Sequence, residues 1–482
     1  MAGIIINMQI FFLITYFIYF WRGVIFKPYS IASAEAIDHD FGIMCLAGEY
    51  WRKGKIPQDP YYFKKLDQVR EGTYYPVNIF FAWLGSFMGL NNKWILYVVN
   101  LLLHSFGTII LAYYIFDKGW VGLFGALAWG FCAFHIKTTL WYTQLFFWIT
   151  ATVLCVKLHS IWLGVTIGMA ILSGHPPYVV YTAYLIIVYS LLSGWYPVRE
   201  ALIAFAVGFP QIQGFWKHRK EVVHKTLKDK INIGNLPVWT FPLMFIPYRI
   251  DDFVCDIGYE EWNFYVGPLV FFFALFGRTP MLWALVIGGF ILCTGKLHKY
   301  VHKIFFRWAY RLVYFSILGL IALSVEGLRS FNLVTQQLIL LNILLGITLL
   351  YNRASILCYP LKAEGKRPSE IFKTPLLCYL EEVAKGFRVN NLPYPAHTGH
   401  INHIMTCGYT GGNRVASLGK FLNVPRDGVI PYNWFEWQPD SEDVDSYKIG
   451  FHIGEKPSNN PKWEQDTTFK NLWVNTNIVK SF

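Results

Sequence analysis

The sequence predicts a mainly α fold: a polytopic bundle of membrane-spanning helices, about eleven spans by length, followed by a small C-terminal extramembrane domain of α/β or irregular structure. Three observations predict it. Charged residues make up only 15% of the 482 residues and hydrophobic ones 54%, well below the roughly 25% charge of a soluble domain. Apolar runs near the length of a bilayer crossing recur from the N-terminus to residue 351. Beyond residue 352 charged, Pro, Gly and Asn residues become frequent and no run of that length returns. The expected division is therefore 1–351 for the membrane module and 352–482 for an outer-side soluble domain.

The first run, 4–20, is apolar throughout and ends at Trp21-Arg22, an aromatic ring and a cation suited to the membrane boundary. It lacks the basic n-region and small-residue cleavage site of a signal peptide, so it reads as a retained anchor. A long polar loop follows, within 23–93. Its stretch 41–55 carries Phe41, Met44, Cys45 and Tyr50 with charges between them, the spacing of an amphipathic surface helix. Pro76 then opens a short apolar helix, 77–90, too brief to span with ease.

Further spans are expected at 94–116, 121–135, 140–156, 161–172, 178–192, 201–213, 265–276, 282–293, 312–328 and 333–351. Only Lys and Arg in short loops set orientation. With a cytoplasmic N-terminus the inner loops carry Lys118, Lys157, Arg199, Arg278 and Arg329. The outer side then receives the polar loop, the turn Ser173-Gly174-His175-Pro176-Pro177, the basic segment 216–261 and the tail. Counting 77–90 as a crossing would reverse every later loop, so that helix is expected to lie in the interface.

The net charge of +12 does not imply nucleic acid, because the basic residues are spread over loops rather than gathered on one soluble face. Anionic head groups or a phosphate-bearing lipid substrate account for it better. The 8 cysteines contain no CxxC pair and imply no disulfide framework. His397, His400 and His403 are spaced three apart, but the surrounding loop offers no Cys or carboxylate at ligand spacing, so no metal site is assigned.

Asp38-His39-Asp40 concentrates acid in the polar loop. In an extended backbone Asp38 and Asp40 point to one side. Asp40 is equally placed to cap the helix that follows, so the two remain alternatives. Transfer of a sugar from a lipid phosphate needs one base for the acceptor's proton, while the departing phosphate is already a stable anion. That phosphate needs cations instead. The first set lies between Lys217 and Lys230. The second, Lys296 to Arg311, is interleaved with Tyr300, Phe305 and Phe306, which equally suits an interfacial helix touching lipid phosphates. A divalent cation, Mg or Mn, is the other source of positive charge; no further cofactor is expected. His175 sits in a Gly-Pro turn that is structural or functional. Glu260 and Glu261 either hold an acceptor or begin a helix.

In order and kind the chain resembles the GT-C superfamily of integral-membrane glycosyltransferases: a first span, an outer loop with an acidic pair, Tyr75-Pro76 opening an interfacial helix, then serial spans. More narrowly it is similar to the YfhO family. The phrases that carry this are Ser173-Gly174-His175-Pro176, Gly208-Phe209-Pro210-Gln211, Asn263-Phe264-Tyr265-Val266-Gly267, Thr294-Gly295-Lys296, Arg311 before a span, and Phe387-Arg388-Val389. The resemblance implies a polyprenyl-phosphate sugar donor, a cell-envelope acceptor and Asp38 or Asp40 as base. His39, Tyr75, His175, Glu260, Glu261, Lys296 and Arg311 are the expected substrate contacts. It also implies a longer outer domain and a final span beyond this tail. The Trp-Trp-Asp motif of oligosaccharyltransferases is absent, which disfavours transfer of a whole glycan to protein Asn. Membrane lipids, and protein partners through the tail, complete the expected contacts. A transporter or flippase of a lipid-linked or anionic solute, and a non-catalytic scaffold subunit, are the competing classes.

Overall fold

A computed structural model describes residues 2–30, 41–59, 66–67, 72, 74–139, 143–173, 176–218, 222–223, 238–246, 264–294, 312–357, 366–390, 405–406, 414–415 and 448–479. The chain is mainly helical. In order the helices are α1 (Ala2–Phe26), α2 (Phe41–Arg52), α3 (Pro76–Gly85), α4 (Leu90–Ile115), α5 (Gly119–Phe131), α6 (Ala133–Thr139), α7 (Thr143–Lys157), α8 (Leu163–Ser173), α9 (Pro176–Ser193), α10 (Val198–His218), α11 (Pro268–Ala274), α12 (Pro280–Cys293), α13 (Val313–Ser330), α14 (Thr335–Leu357), α15 (Pro368–Phe372) and α16 (Pro375–Val383). By length and composition, three described helical stretches can cross a membrane: Met8–Phe26, Leu90–Ile115 and Val313–Ser330.

The chain divides into two units. The first comprises Met1–Ile31, Val99–Phe209 and Lys228–Pro360. It is a helical bundle whose closest approaches use small residues, as apolar surroundings favour. Gly327 of α13 lies so near the Phe273 carbonyl of α11 that a Cβ there would stand 1.9 Å from the oxygen. Ser316 on α13 donates to the Val286 carbonyl of α12 at 2.8 Å. Polar side chains add ties between helices distant in sequence. Tyr113 donates to Gln9, Tyr16 to the Gly346 carbonyl at 2.7 Å, and Asn342 to the Trp120 carbonyl at 2.9 Å.

At one end of this bundle the turn from α4 to α5 runs through Asp117, Lys118 and Gly119, all with left-handed φ of 66°, 59° and 68°. For Asp and Lys that conformation is strained. It is braced from three sides. Lys118 N–H donates to the Tyr113 carbonyl at 2.9 Å, and Gly119 N–H to the Tyr113 hydroxyl at 3.1 Å. The Asp117 carboxylate is gripped by Lys157 from α7 and by Arg329 from α13, the latter at 2.8 Å. Both cations also hold backbone: Lys157 donates to the Ile115 carbonyl at 2.6 Å and Arg329 to that of Phe116 at 3.0 Å.

The second unit comprises Ala32–Val98, Pro210–Leu227 and Leu361–Phe482. Here α2 and α3 pack so tightly that a Cβ on Gly48 would lie 2.2 Å from the Ala82 carbonyl oxygen. Phe41, fully buried, sits edge-on to Trp94 at 4.9 Å and against Phe372 of α15 at 6.1 Å. The Asn91 side chain accepts from Ser369 N–H at 3.1 Å. A short strand β3 (Val222–Val223) pairs antiparallel with β6 (Arg414–Val415), after the hairpin strands β1 (Gln58–Asp59) and β2 (Leu66–Asp67).

The tail forms a mixed sheet from β4 (Arg388–Asn390), β5 (Met405–Thr406), β7 (Ile449–Ile453), β8 (Trp463–Gln465) and β9 (Leu472–Asn475), in the order β5-β4-β7-β9-β8. β4 runs parallel to β5 and β7, while β9 is antiparallel to β7 and β8. Leu377 and Leu380 of α16 close a core with Val389, Phe451, Leu472 and Val474. Asp466 fixes the β8–β9 turn by accepting from Thr468 and Phe469 N–H at 2.7 and 2.8 Å, and from the Tyr379 hydroxyl at 2.9 Å.

The Asp117 clamp has a pH signature. Burial alone would raise its carboxyl, but the hydrogen bonds and charges of Lys157 and Arg329 outweigh that and hold it below the ordinary Asp range. A depressed carboxyl contributes stability that is complete above the unfolded value, near pH 4, and lost as pH falls through the lower folded value. Thermal unfolding of the detergent-solubilised chain is therefore expected to weaken across that acid window. Asp117→Asn should lower stability at neutral pH by about 1 kcal/mol or less, since the pair is half exposed, and should flatten the acid slope. An unchanged slope in the variant would remove the clamp from the account.

Candidate functional site

At the opposite end of α13 from Arg329, the break between α5 and α6 meets the start of α11. α5 stops at Phe131 because Cys132 is extended, with φ −62° and ψ 154°. Residues 264–267 form neither helix nor strand, and α11 begins only at Pro268, after Gly267 with φ 99°. Phe264, Tyr265 and Val266 are 2%, 1% and 0% exposed, so these backbone groups lie where water does not serve them. They serve each other. Ala133 N–H donates to the Tyr265 carbonyl at 2.9 Å, and the Met244 carbonyl accepts from Val266 and Gly267 N–H at 2.8 and 3.2 Å. Non-helical backbone in apolar surroundings persists only with such partners or along a cavity.

Around this break stands a cluster of rings. Phe134 stacks on Tyr314 at 6.3 Å and meets Tyr178 and Phe264 at the same distance. Phe146 sits edge-on to Tyr178 at 5.1 Å and to Phe134 at 5.2 Å. The His135 ring lies 4.4 Å from Trp129 and 5.3 Å from Phe146, and it is almost wholly buried, as is Gln144. Polar groups thread the cluster. Trp129 donates to Thr150 at 3.1 Å. Thr182 donates its single proton to the Tyr178 carbonyl at 2.8 Å. Its 2.8 Å contact with the Tyr314 hydroxyl must then have tyrosine as donor, since a hydroxyl carries one hydrogen and two lone pairs. The order is Tyr314 to Thr182 to the Tyr178 carbonyl.

Tyr75 is the one expected contact residue that lies among the described residues. It is fully buried at the start of α3, where its N–H donates to the Gly72 carbonyl at 3.2 Å and its carbonyl accepts from Ile79 at 2.9 Å. Asp38, His39, Asp40, His175, Glu260, Glu261, Lys296 and Arg311 lie outside the described residues, as do His397, His400 and His403. Among the described residues no group of three or more His, Cys, Asp or Glu side chains is placed to hold a metal ion. Sequence reasoning passed over His135 and Gln144, which sit at the ends of apolar runs and carry no spacing signal. The phrase at residues 263–267 was singled out, and its described part, 264–267, forms the buried non-helical segment before α11.

No protein-family model matches the chain, and no curated protein matches it.

The hydroxyl relay fixes an order of damage. Tyr314→Phe removes one donor and leaves Thr182 with an unused lone pair while its own bond survives, a loss of about 1 kcal/mol. Thr182→Val strands the buried Tyr314 donor, while the Tyr178 carbonyl keeps the helical bond from residue 182 N–H, so it should cost more, about 1–3 kcal/mol. Thermal unfolding of the two variants checks the ranking; equal losses, or a larger one for Tyr314→Phe, would reverse the assigned donor direction.

Proposed function

We propose that the chain is a multi-pass membrane glycosyltransferase of the GT-C kind, similar to the YfhO family, with about eleven spans. It moves one sugar from a polyprenyl-phosphate-linked donor to a cell-envelope acceptor at the outer face. The observation that carries this reading is the make-up of the second unit. It is assembled from the polar loop, the first part of the basic segment and the tail, the three stretches that charge counting assigns to one side of the membrane. A lipid-linked donor calls for this combination, an apolar bundle for the polyprenyl chain and a polar unit for a water-soluble acceptor.

The first unit supplies support of a second kind. His175, Glu261 and Arg311 each stand three residues before Tyr178, Phe264 and Tyr314, a chain length of at most about 11 Å. Those three rings share one cluster at the helix break. At the other end, Lys157 and Arg329 meet on Asp117 beside Lys118, and Arg278 N–H donates to Glu326 at 3.1 Å, one turn before Arg329. These are four of the five basic residues that the orientation rule counts as cytoplasmic, Arg199 being the fifth.

In the reaction, Asp38 or Asp40 takes the proton from the acceptor hydroxyl as it attacks the anomeric carbon, and the donor phosphate departs as an anion. Lys296, Arg311 and His175, or a divalent cation, balance its charge. His39, Tyr75, Glu260 and Glu261 complete the substrate contacts. A transporter of a lipid-linked or anionic solute is the second reading, favoured by the helix interruption with its buried polar groups.

Purified full-length protein given a panel of polyprenyl-phosphate sugars is expected to release the lipid phosphate in step with sugar transfer. The double variant Asp38→Asn, Asp40→Asn should lose about 10²–10⁴-fold in rate while inserting and folding normally. Unreduced transfer in that variant removes the carboxylate base. Lipid movement across vesicles without bond cleavage selects the transporter.

A further inference from the structure

The α2/α3 pair of the second unit carries an apolar stripe and a group of cations at one end, and neither serves the chemistry above. Gly48 meets Ala82, and Arg52 Nη1 donates to the Ser86 carbonyl at 3.1 Å. The contacts step by four residues in the same direction on both helices, so the two run parallel with their C-terminal ends together. α3 turns Phe81, Ala82 and Gly85 inward. Phe80, Trp83 and Phe87, spaced as one helical face, are 54%, 41% and 60% exposed, with Met88 beside them.

The cations gather at the level where that stripe ends. The Arg52 guanidinium stands 5.9 Å from the Phe87 ring centroid. Lys53 and Lys55 follow it on the exposed turn, and the Lys93 stem passes within 3.6 Å of the Cβ position at Gly85. Glu49 is the one acid in 41–57 and 74–98. Helix C-termini attract cations by themselves, and the Arg52–Ser86 bond answers to that. Lys53 and Lys55 sit on the turn that caps α2, their N–H groups both donating to the Tyr50 carbonyl at 3.0 Å, and their side chains add exposed charge at that end. A row of rings bordered by cations is the pattern of a segment lying in a head-group layer, with rings among acyl chains and cations at phosphate level.

We propose that this end of the α2/α3 pair binds anionic phospholipid head groups, so that the leaflet's charge holds the polar loop at the membrane surface. The inference rests on the interfacial placement of α3. Hydrogen–deuterium exchange of full-length protein in nanodiscs of phosphatidylcholine, with or without phosphatidylglycerol, tests it peptide by peptide. Phosphatidylglycerol should slow exchange across 41–57 and 76–89. Lys53→Gln with Lys55→Gln, both on an exposed turn, should remove about fivefold of that protection per cation. Exchange that ignores lipid charge, or that soluble inorganic phosphate slows equally, overturns the proposal. Photoactivatable phosphatidylcholine supplies the separate check: labelling of 76–89 shows α3 in the interface whatever the charge dependence, and no labelling sinks the placement itself.

Discussion

The hydrogen bond from Ala133 N–H to the Tyr265 carbonyl is the contact on which the first unit's architecture depends. An interrupted helix leaves amide donors and carbonyl acceptors without partners, and in apolar surroundings each orphan costs several kcal/mol. The break after α5 and the non-helical start before α11 are each costly alone. Together they are tenable, because each offers what the other lacks, and the Met244 carbonyl takes two further amides. Three segments far apart in the sequence are thereby fixed at one depth. The rings of Phe134, Tyr178, Phe264 and Tyr314 then have a floor to pack on.

The same economy governs how the bundle is tied elsewhere. Between apolar helices there is no hydrophobic gain from leaving the surroundings, so side-chain hydrogen bonds and close small-residue packing do the joining. Tyr113 shows how one residue does several jobs. Its hydroxyl donates to Gln9 of α1 and accepts from Gly119, and its carbonyl accepts from Lys118. The left-handed turn that Asp117 begins is thus braced from the helix interior as well as by Lys157 and Arg329.

What was legible in the sequence was composition and its punctuation. The amphipathic stretch 41–55 becomes α2, ending at Arg52, and Pro76 opens α3 where its missing N–H costs nothing. The break at Cys132 was not legible, because 121–134 is apolar throughout and the Ala133 N–H that the break frees finds its partner more than a hundred residues later. The non-helical 264–267 segment was half legible: Gly267-Pro268 announces a helix start that the run 265–276 masks. Strands of the tail sheet are short, and β7 is buried along its whole length, so no alternation betrays it. Asp117 escaped notice because orientation rules count only cations, yet it is the acid on which two of the counted cations converge. Of the expected site only Tyr75 lies among the described residues. His135 and Gln144 carried no spacing that would separate a site from a core.

The two ends of the bundle solve the polarity problem in opposite ways. At the Asp117 end the groups are charged, half exposed and paired across three helices. There water shares the cost of the charges, and the clamp is weak singly and sensitive to acid. At the Tyr314 end the described polar groups are hydroxyls, amides, an indole and an imidazole, buried among rings, and their bonds are directional rather than Coulombic. A fixed charge placed there would have to be matched at once or would cost too much to hold. A phosphate arriving at that end would therefore need cations carried by segments that also reach water. The stretches next in sequence to the cluster, with His175, Lys296 and Arg311, have the composition to carry them. A charge buried permanently among the rings would destabilise the bundle, which accounts for the neutral character of the described polar groups at this end.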